Sequence, residues 1–168
     1  MTESNHRTPL ISLQGVTFNY PGRPAILKAL DFELFQGDRV GLVAPNGSGK
    51  TTLFHIIMGL LKPCAGKLRI FGRPVRREQD FIEVRQRIGL LFQDADDQLF
   101  SPTVLEDVAF GPLNLGKSRE EAETIARRTL ARLGLEGFEE RITFRLSGGE
   151  KRLVSLATIL AMEPEVLL

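Results

Sequence analysis

The segment Ala44 to Thr51 reads APNGSGKT: a small residue, four others, then glycine, lysine and threonine. This is the spacing of a phosphate loop, in which successive backbone N–H groups converge on phosphate oxygens. Such convergence demands glycine-type dihedrals at Gly47 and Gly49. Lys50 supplies a cation for the outer phosphates, and Thr51 offers a hydroxyl to Mg²⁺. The helix that follows directs its N-terminal dipole and free amides at the anion. Alanine stands at position 44, where glycine is usual, and keeps the residue small. The loop specifies a nucleoside triphosphate, but alone it does not separate a kinase, a GTPase or a transport ATPase.

A second candidate is Leu146 to Glu150, LSGGE, ahead of an apolar helix. Ser147 and Glu150 form a capping box, which would suffice to explain them. Gly148 and Gly149 are harder to explain as helix formers, since each costs about 1 kcal/mol relative to alanine. Bare amides at a helix start can grip a phosphate, so this is a second candidate anion-binding end.

Elements to position these residues are legible in the pattern. Leu10 to Phe35 reads as two strands around the PGRP turn at Pro21 to Pro24, an antiparallel β region. Arg39 to Ala44 is aliphatic, as a strand buried on both faces would be, and runs straight into the loop. From Lys50, the positions Leu53, Phe54, Ile57 and Leu61 recur at helical spacing, and Pro63 and Gly66 close the segment. Lys67 to Phe71 reads as a strand, Glu78 to Arg87 as a helix and Ile88 to Phe92 as a short strand. Ser118 and Glu121 cap a helix whose apolar face is Ala122, Ile125, Ala126, Thr129, Leu130 and Leu133, ended by Gly134. A last helix spans about Gly148 to Met162, and Pro164 to Leu168 begins an apolar strand. The expected class is α/β, with a mostly helical insertion between about Gln93 and Pro164.

Composition sets the outer bounds. The chain has 168 residues, 42% hydrophobic and 26% charged, which fits one globular domain with a packed core. Lysine and arginine number 22 against 21 acids, a balance of +1, leaving no broad footprint for nucleic acid or an anionic membrane. One cysteine, Cys64, cannot pair internally and reads as a turn residue. Together with an N-terminus lacking an apolar secretory core, it makes the cytoplasm the expected compartment. His6 and His55 offer no metal-ligand spacing, and no apolar run is long enough to insert into a bilayer.

The stretch LSGGEKRLVSLATILAMEPEVLL resembles the signature region of ABC transporter ATP-binding subunits, where glutamine is commoner at the position of Glu150. The resemblance extends over nearly the whole chain from Ile11. It implies a P-loop NTPase fold of the ABC nucleotide-binding type, with residues 1–168 as one domain and about 93–163 as a helical subdomain carrying the signature. Site residues follow by position. ATP would be held by Tyr20, whose ring stacks on adenine, and by Ala44, Pro45, Asn46, Gly47, Ser48, Gly49, Lys50, Thr51 and Thr52. Mg²⁺ would be met by Thr51 and by Gln93, which also reaches the attacking water. Leu146, Ser147, Gly148, Gly149 and Glu150 would serve the ATP held by a partner subunit in a head-to-tail homo- or heterodimer. Without the resemblance, Tyr20 reads equally as a half-buried strand residue and Gln93 as a surface residue.

The run DADDQLFSPTVLEDVAFGPLNLG, Asp94 to Gly116, is similar to ATPase subunits of cobalt and nickel importers and of energy-coupling-factor importers for vitamins. Asp96, Asp97, Gln98, Leu99 and Phe100 would then face a coupling helix of a transmembrane permease subunit, although a solvated acidic turn over minor core reads the same. The resemblance thus implies an ATPase peripheral to the inner face of the cell membrane, with cobalt or nickel as the expected cargo. A vitamin importer, or a non-catalytic module paired with a full-length ATPase, stays open. In the family, an aspartate, a glutamate and a switch histidine follow the terminal strand. With Leu168 as the last residue, they and part of the central sheet are expected to be missing, so that this chain binds ATP better than it hydrolyses it and is marginally stable. Chromosome and DNA-repair relatives carry long coiled coils between the two motifs, for which the stretch from Lys50 to Ser147 leaves no room.

Overall fold

The computed structural model describes residues 7–168, so His6 lies outside the described residues. Contacts divide the chain into two compact units, Met1–Val84 and Arg85–Leu168.

The first unit is built on a four-stranded antiparallel sheet, in the order β2-β1-β3-β4. Its strands are β1 (Ile11–Phe18), β2 (Leu27–Leu34), β3 (Ala65–Ile70) and β4 (Arg73–Pro74). Central β1 places Ile11 opposite both Leu34 and Ile70, and Leu13 opposite both Phe32 and Leu68, so its apolar residues are buried from either side. The register shifts after Gln14, where the Gly15 amide donates to Asp31 Oδ1 at 2.7 Å. Gly66 crosses that bulge with φ +98°, and a Cβ there would stand 2.6 Å from the Gly15 carbonyl oxygen, so no other residue fits. Helix α1 (Lys50–Ile57) buries Leu53, Ile56 and Ile57. Helix α2 (Glu78–Arg87) buries Phe81 and Val84 and has the bounds its periodicity predicts.

Two expectations fail in this unit. Arg39 to Ala44 is not a strand, and Val43 is 99% exposed and Val40 52%. An aliphatic run of this kind becomes a buried strand only when ladders form along both its edges. Among the described residues no strand pairs with it. Helix α1 is also shorter than expected, ending at Ile57 with Met58 as C-cap, so Leu61 falls outside it.

The second unit packs α3 (Val104–Asn114), α4 (Arg119–Arg132) and α5 (Gly148–Leu160) around one apolar cluster that includes Val104, Val108, Ala126, Leu130 and Val154, each 0% exposed. Burying a side chain of leucine or valine size contributes about 1.5–3 kcal/mol, so this cluster organises the unit. The box at Ser118 and Glu121 starts α4 as predicted, and Gly134 follows it in the left-handed conformation. Two short strands, β5 (Ile88–Gly89) and β6 (Val166–Leu167), pair in parallel. The Arg87–Glu165 ion pair flanks them. No helix among the described residues is long and apolar enough to cross a membrane.

Candidate functional site

The loop from Ala44 to Gly49 is held by main-chain contacts and one lysine. Ser48 N–H donates to the Pro45 carbonyl at 3.3 Å, closing a turn around Asn46 and Gly47. Gly47 and Gly49 adopt φ +79° and +97°, as the loop pattern requires. A Cβ on Gly49 would also lie 2.9 Å from the end of the Leu27 side chain, which would have to shift, so the backbone conformation is what reserves the position for glycine. Lys50 Nζ donates to the carbonyls of Ala44 (2.7 Å) and Pro45 (3.0 Å), folding its ammonium back over the loop mouth.

At its start, α1 has Gly49 as N-cap and no side-chain cap. Its first amides are therefore open to an outside acceptor. Ser48 Oγ is buried and lacks a hydrogen-bond partner, an orphan that an anion in the loop would satisfy. Left-handed glycines, uncapped amides, an orphaned hydroxyl and a cation together fit a phosphate chain. Thr51, exposed in the first turn, adds a hard oxygen of the kind Mg²⁺ takes. Tyr20 is brought to this helix: its hydroxyl lies 3.1 Å from Thr52 Oγ1, and its ring meets Phe18 edge-on at 5.0 Å.

In the second unit, Ser147 caps α5 and the box is complete. Ser147 Oγ accepts from the Glu150 amide at 3.4 Å, and Glu150 Oε2 accepts from the Ser147 amide at 2.8 Å. The Ser147 amide and hydroxyl, with the Arg141 guanidinium 3.0 Å away, hold the Glu150 carboxyl below its ordinary pKa. Arg141 itself lies 3.6 Å over the Phe138 ring. Gly148 and Gly149 are exposed, with nothing within 4 Å of where a Cβ would stand, while Leu146 is buried. The expected structural box and the expected open glycines therefore coexist.

Gln93 is exposed, and its carbonyl accepts from Arg152 at 3.1 Å. Sequence reasoning missed what holds its loop. Asp107, 2% exposed on α3, accepts the amides of Phe100 (3.1 Å) and Ser101 (2.9 Å) through Oδ1. The signal for α3 was present: Thr103 and Glu106 are a capping box before Val104, Leu105 and Val108. Asp96 pairs with Lys151 of α5, and Gln98 turns inward onto α5 rather than outward. Phe100 is 67% exposed and meets Phe110 edge-on at 4.8 Å. Cys64 is exposed, with its thiol 3.1 Å from Asn19 Oδ1. Among the described residues, no cluster of histidine, cysteine, aspartate or glutamate could hold a metal ion.

Known proteins are similar to this chain over most of its length. A putative ABC transporter ATP-binding protein of Nitratidesulfovibrio vulgaris is 56% identical over 161 residues, 95% of this chain and 59% of that protein. The energy-coupling factor transporter ATP-binding protein EcfA of Methanocaldococcus jannaschii is 46% identical over 159 residues, 94% of this chain and 57% of its own length. The chain thus spans less than two thirds of these relatives. Among solved structures, cbiO1 of Clostridium perfringens, part of the transporter complex cbiONQ, superposes with a TM-score of 0.83 at 33% identity. That match covers 95% of this chain and 64% of cbiO1. The ATP-binding cassette MJ0796, dimeric with ADP and phosphate bound, superposes with a TM-score of 0.83 at 28% identity, over 94% of this chain and 72% of that one. The fold is accordingly that of a P-loop NTPase of the ABC type. Because the ABC transporter family model also matches residues 27–168, loop and signature included, the chain belongs to the ABC transporter family.

Proposed function

We propose that this chain is the ATP-binding part of an ABC importer, coupling ATP binding and hydrolysis to the movement of cobalt or nickel ions. The observation that carries the reading is the loop from Ala44 to Lys50, whose glycine dihedrals, uncapped helix start and folded-back lysine suit a triphosphate. Amides of Asn46 to Thr51 and the Lys50 ammonium bind the phosphates, replacing the two carbonyl contacts that Lys50 now makes. Thr52, with the Tyr20 hydroxyl beside it, fixes the aromatic ring where adenine would stack. Thr51 and Gln93 are the oxygens that would hold Mg²⁺, which supplies charge neutralisation at the phosphates. Ser147, Gly148 and Gly149 present amides to the nucleotide of a second subunit.

In this reading residues 1–168 belong to one nucleotide-binding domain, with a helical subdomain over about 93–163. It works as a homo- or heterodimer beneath a transmembrane permease subunit at the inner face of the cell membrane. Phe100, with the acidic turn at Asp96 and Asp97, meets the permease. The cargo follows the likeness to cbiO1. The higher identity to EcfA favours a second reading, an energy-coupling-factor importer that carries a vitamin.

The test is nucleotide binding followed by uptake. ATP should bind with Mg²⁺, and cells carrying the protein with its permease should accumulate labelled Co²⁺ or Ni²⁺. Accumulation of a labelled vitamin instead selects the second reading, and failure to bind ATP overturns both.

A further inference from the structure

Glu150 puts a negative charge in the first turn of α5, beside the bare amides of Gly148 and Gly149 that the reading above gives to a phosphate. The Ser147 amide and hydroxyl, together with Arg141, hold its carboxyl below the ordinary pKa, so at neutral pH it is ionised. A carboxylate repels a phosphate approaching the same helix start, and only a cation fixed at that carboxylate offsets the repulsion. Arg141 is such a cation. Its Nη1 donates to Glu150 Oε1 at 3.0 Å, while Glu150 Oε2 is already taken by the Ser147 amide at 2.8 Å.

As a structural brace the pair is weak. The Arg141 and Glu150 side chains are 49% and 32% exposed, and an ion pair so open to water adds little to stability, while the box at Ser147 closes without it. Arg141 is nevertheless firmly seated. Its guanidinium lies 3.6 Å over the Phe138 ring, its amide donates to the Phe138 carbonyl at 2.9 Å, and its carbonyl accepts from the Val104 amide at 3.1 Å. A planar cation already stacked on a ring loses little further freedom on meeting a carboxylate. The cations that flank the box in sequence are engaged elsewhere: Arg145 over the Phe144 ring, Lys151 with Asp96, and Arg152 with the Gln93 carbonyl. We propose that Arg141, seated on Phe138, is a positioning residue that acts through Glu150: it neutralises this carboxylate so that the α5 start can receive the phosphates of a nucleotide held by a second copy of the chain. The proposal rests on the reading of Leu146 to Glu150 as a face toward a partner's ATP.

Sedimentation of the full-length protein with and without a non-hydrolysable ATP analogue and Mg²⁺, beside nucleotide titration of the dilute monomer, tests it. In the wild type the analogue should drive dimer formation. Arg141→Gln should weaken that dimer about tenfold while the monomer's own nucleotide affinity stays within about twofold. Adding Glu150→Gln to Arg141→Gln should recover most of the loss, because the amide carries no charge to repel phosphate yet still accepts from the Ser147 amide. A pair that only braced the helix would recover nothing when its second member was removed. Arg141→Lys should keep the dimer within about threefold, and Phe138→Leu, which unseats the guanidinium, should weaken it by about threefold and be relieved by Glu150→Gln in the same way. Should Arg141→Gln not fold, Phe138→Leu with and without Glu150→Gln decides. A dimer that Arg141→Gln leaves unchanged, or a loss that Glu150→Gln fails to relieve, overturns the proposal. A wild type that binds the analogue without dimerising overturns instead the reading of this helix start as a face toward a second copy, and one that does not bind it overturns the ATP-binding reading.

Discussion

Helices α1 and α5 both have glycine at their starts, as the N-cap of one and the first residue of the other, but they treat their first amides differently. At α1 the N-cap is Gly49 in a left-handed conformation, no side chain caps the helix, and Ser48 Oγ is buried without a partner. At α5 Ser147 and Glu150 satisfy one another's amides, leaving Gly148 and Gly149 bare but the helix complete. The first start is built to be finished by a ligand, whereas the second is finished already and only exposes a surface. Stability and binding should therefore separate: changes in the α1 loop act on nucleotide, and changes in the α5 box act on the helix.

Lys50→Ala should break this contrast most. Losing a charge-assisted bond of about 1.5–3 kcal/mol weakens ATP binding about 10- to 100-fold in calorimetric titration, while the melting temperature barely moves. Gly49→Ala forces a Cβ into the left-handed region and against Leu27, and should cost about 1–3 kcal/mol in chemical denaturation while also impairing binding. Ser147→Ala removes one cap and should cost about 1 kcal/mol, with the chain's own ATP affinity unchanged. An equal loss of ATP affinity in Ser147→Ala would erase the distinction.

The smallest effect is one of pH. Glu150 titrates below its ordinary value of 4.5 in the folded chain, so its contribution is fully present above that value and is lost as pH falls through the lower, folded-state pKa. Exchange protection in the first turn of α5 should decline in acid before that of α1, whose first turn contains no acidic residue.

Helices with local punctuation were readable from the residues alone. The Ser118 and Glu121 box, the apolar stripe through Leu130 and the terminal Gly134 specify α4 within its own span. The loop and the signature were equally legible, because glycine dihedrals and caps are local chemistry. Arg39 to Ala44 failed for the converse reason: whether Val40 and Val43 are buried depends on strands distant in sequence. Gln98 and Asp107 were illegible in the same sense. Nothing near a glutamine in an acidic turn says that its amide reaches Thr158, and nothing near an acid in an apolar helix says that it collects the amides of Phe100 and Ser101. The helix bearing Asp107 was nonetheless announced by Thr103 and Glu106, a cue overlooked beside the louder motifs.

Asp107 also means that what the molecule shows on its outside is decided from within. The aromatic ring at position 100 is displayed to solvent because a carboxylate hidden on α3 grips the main chain beneath it. Mutational scans confined to accessible positions would overlook that control. A change at Asp107 would reshape that surface without altering a single residue on it.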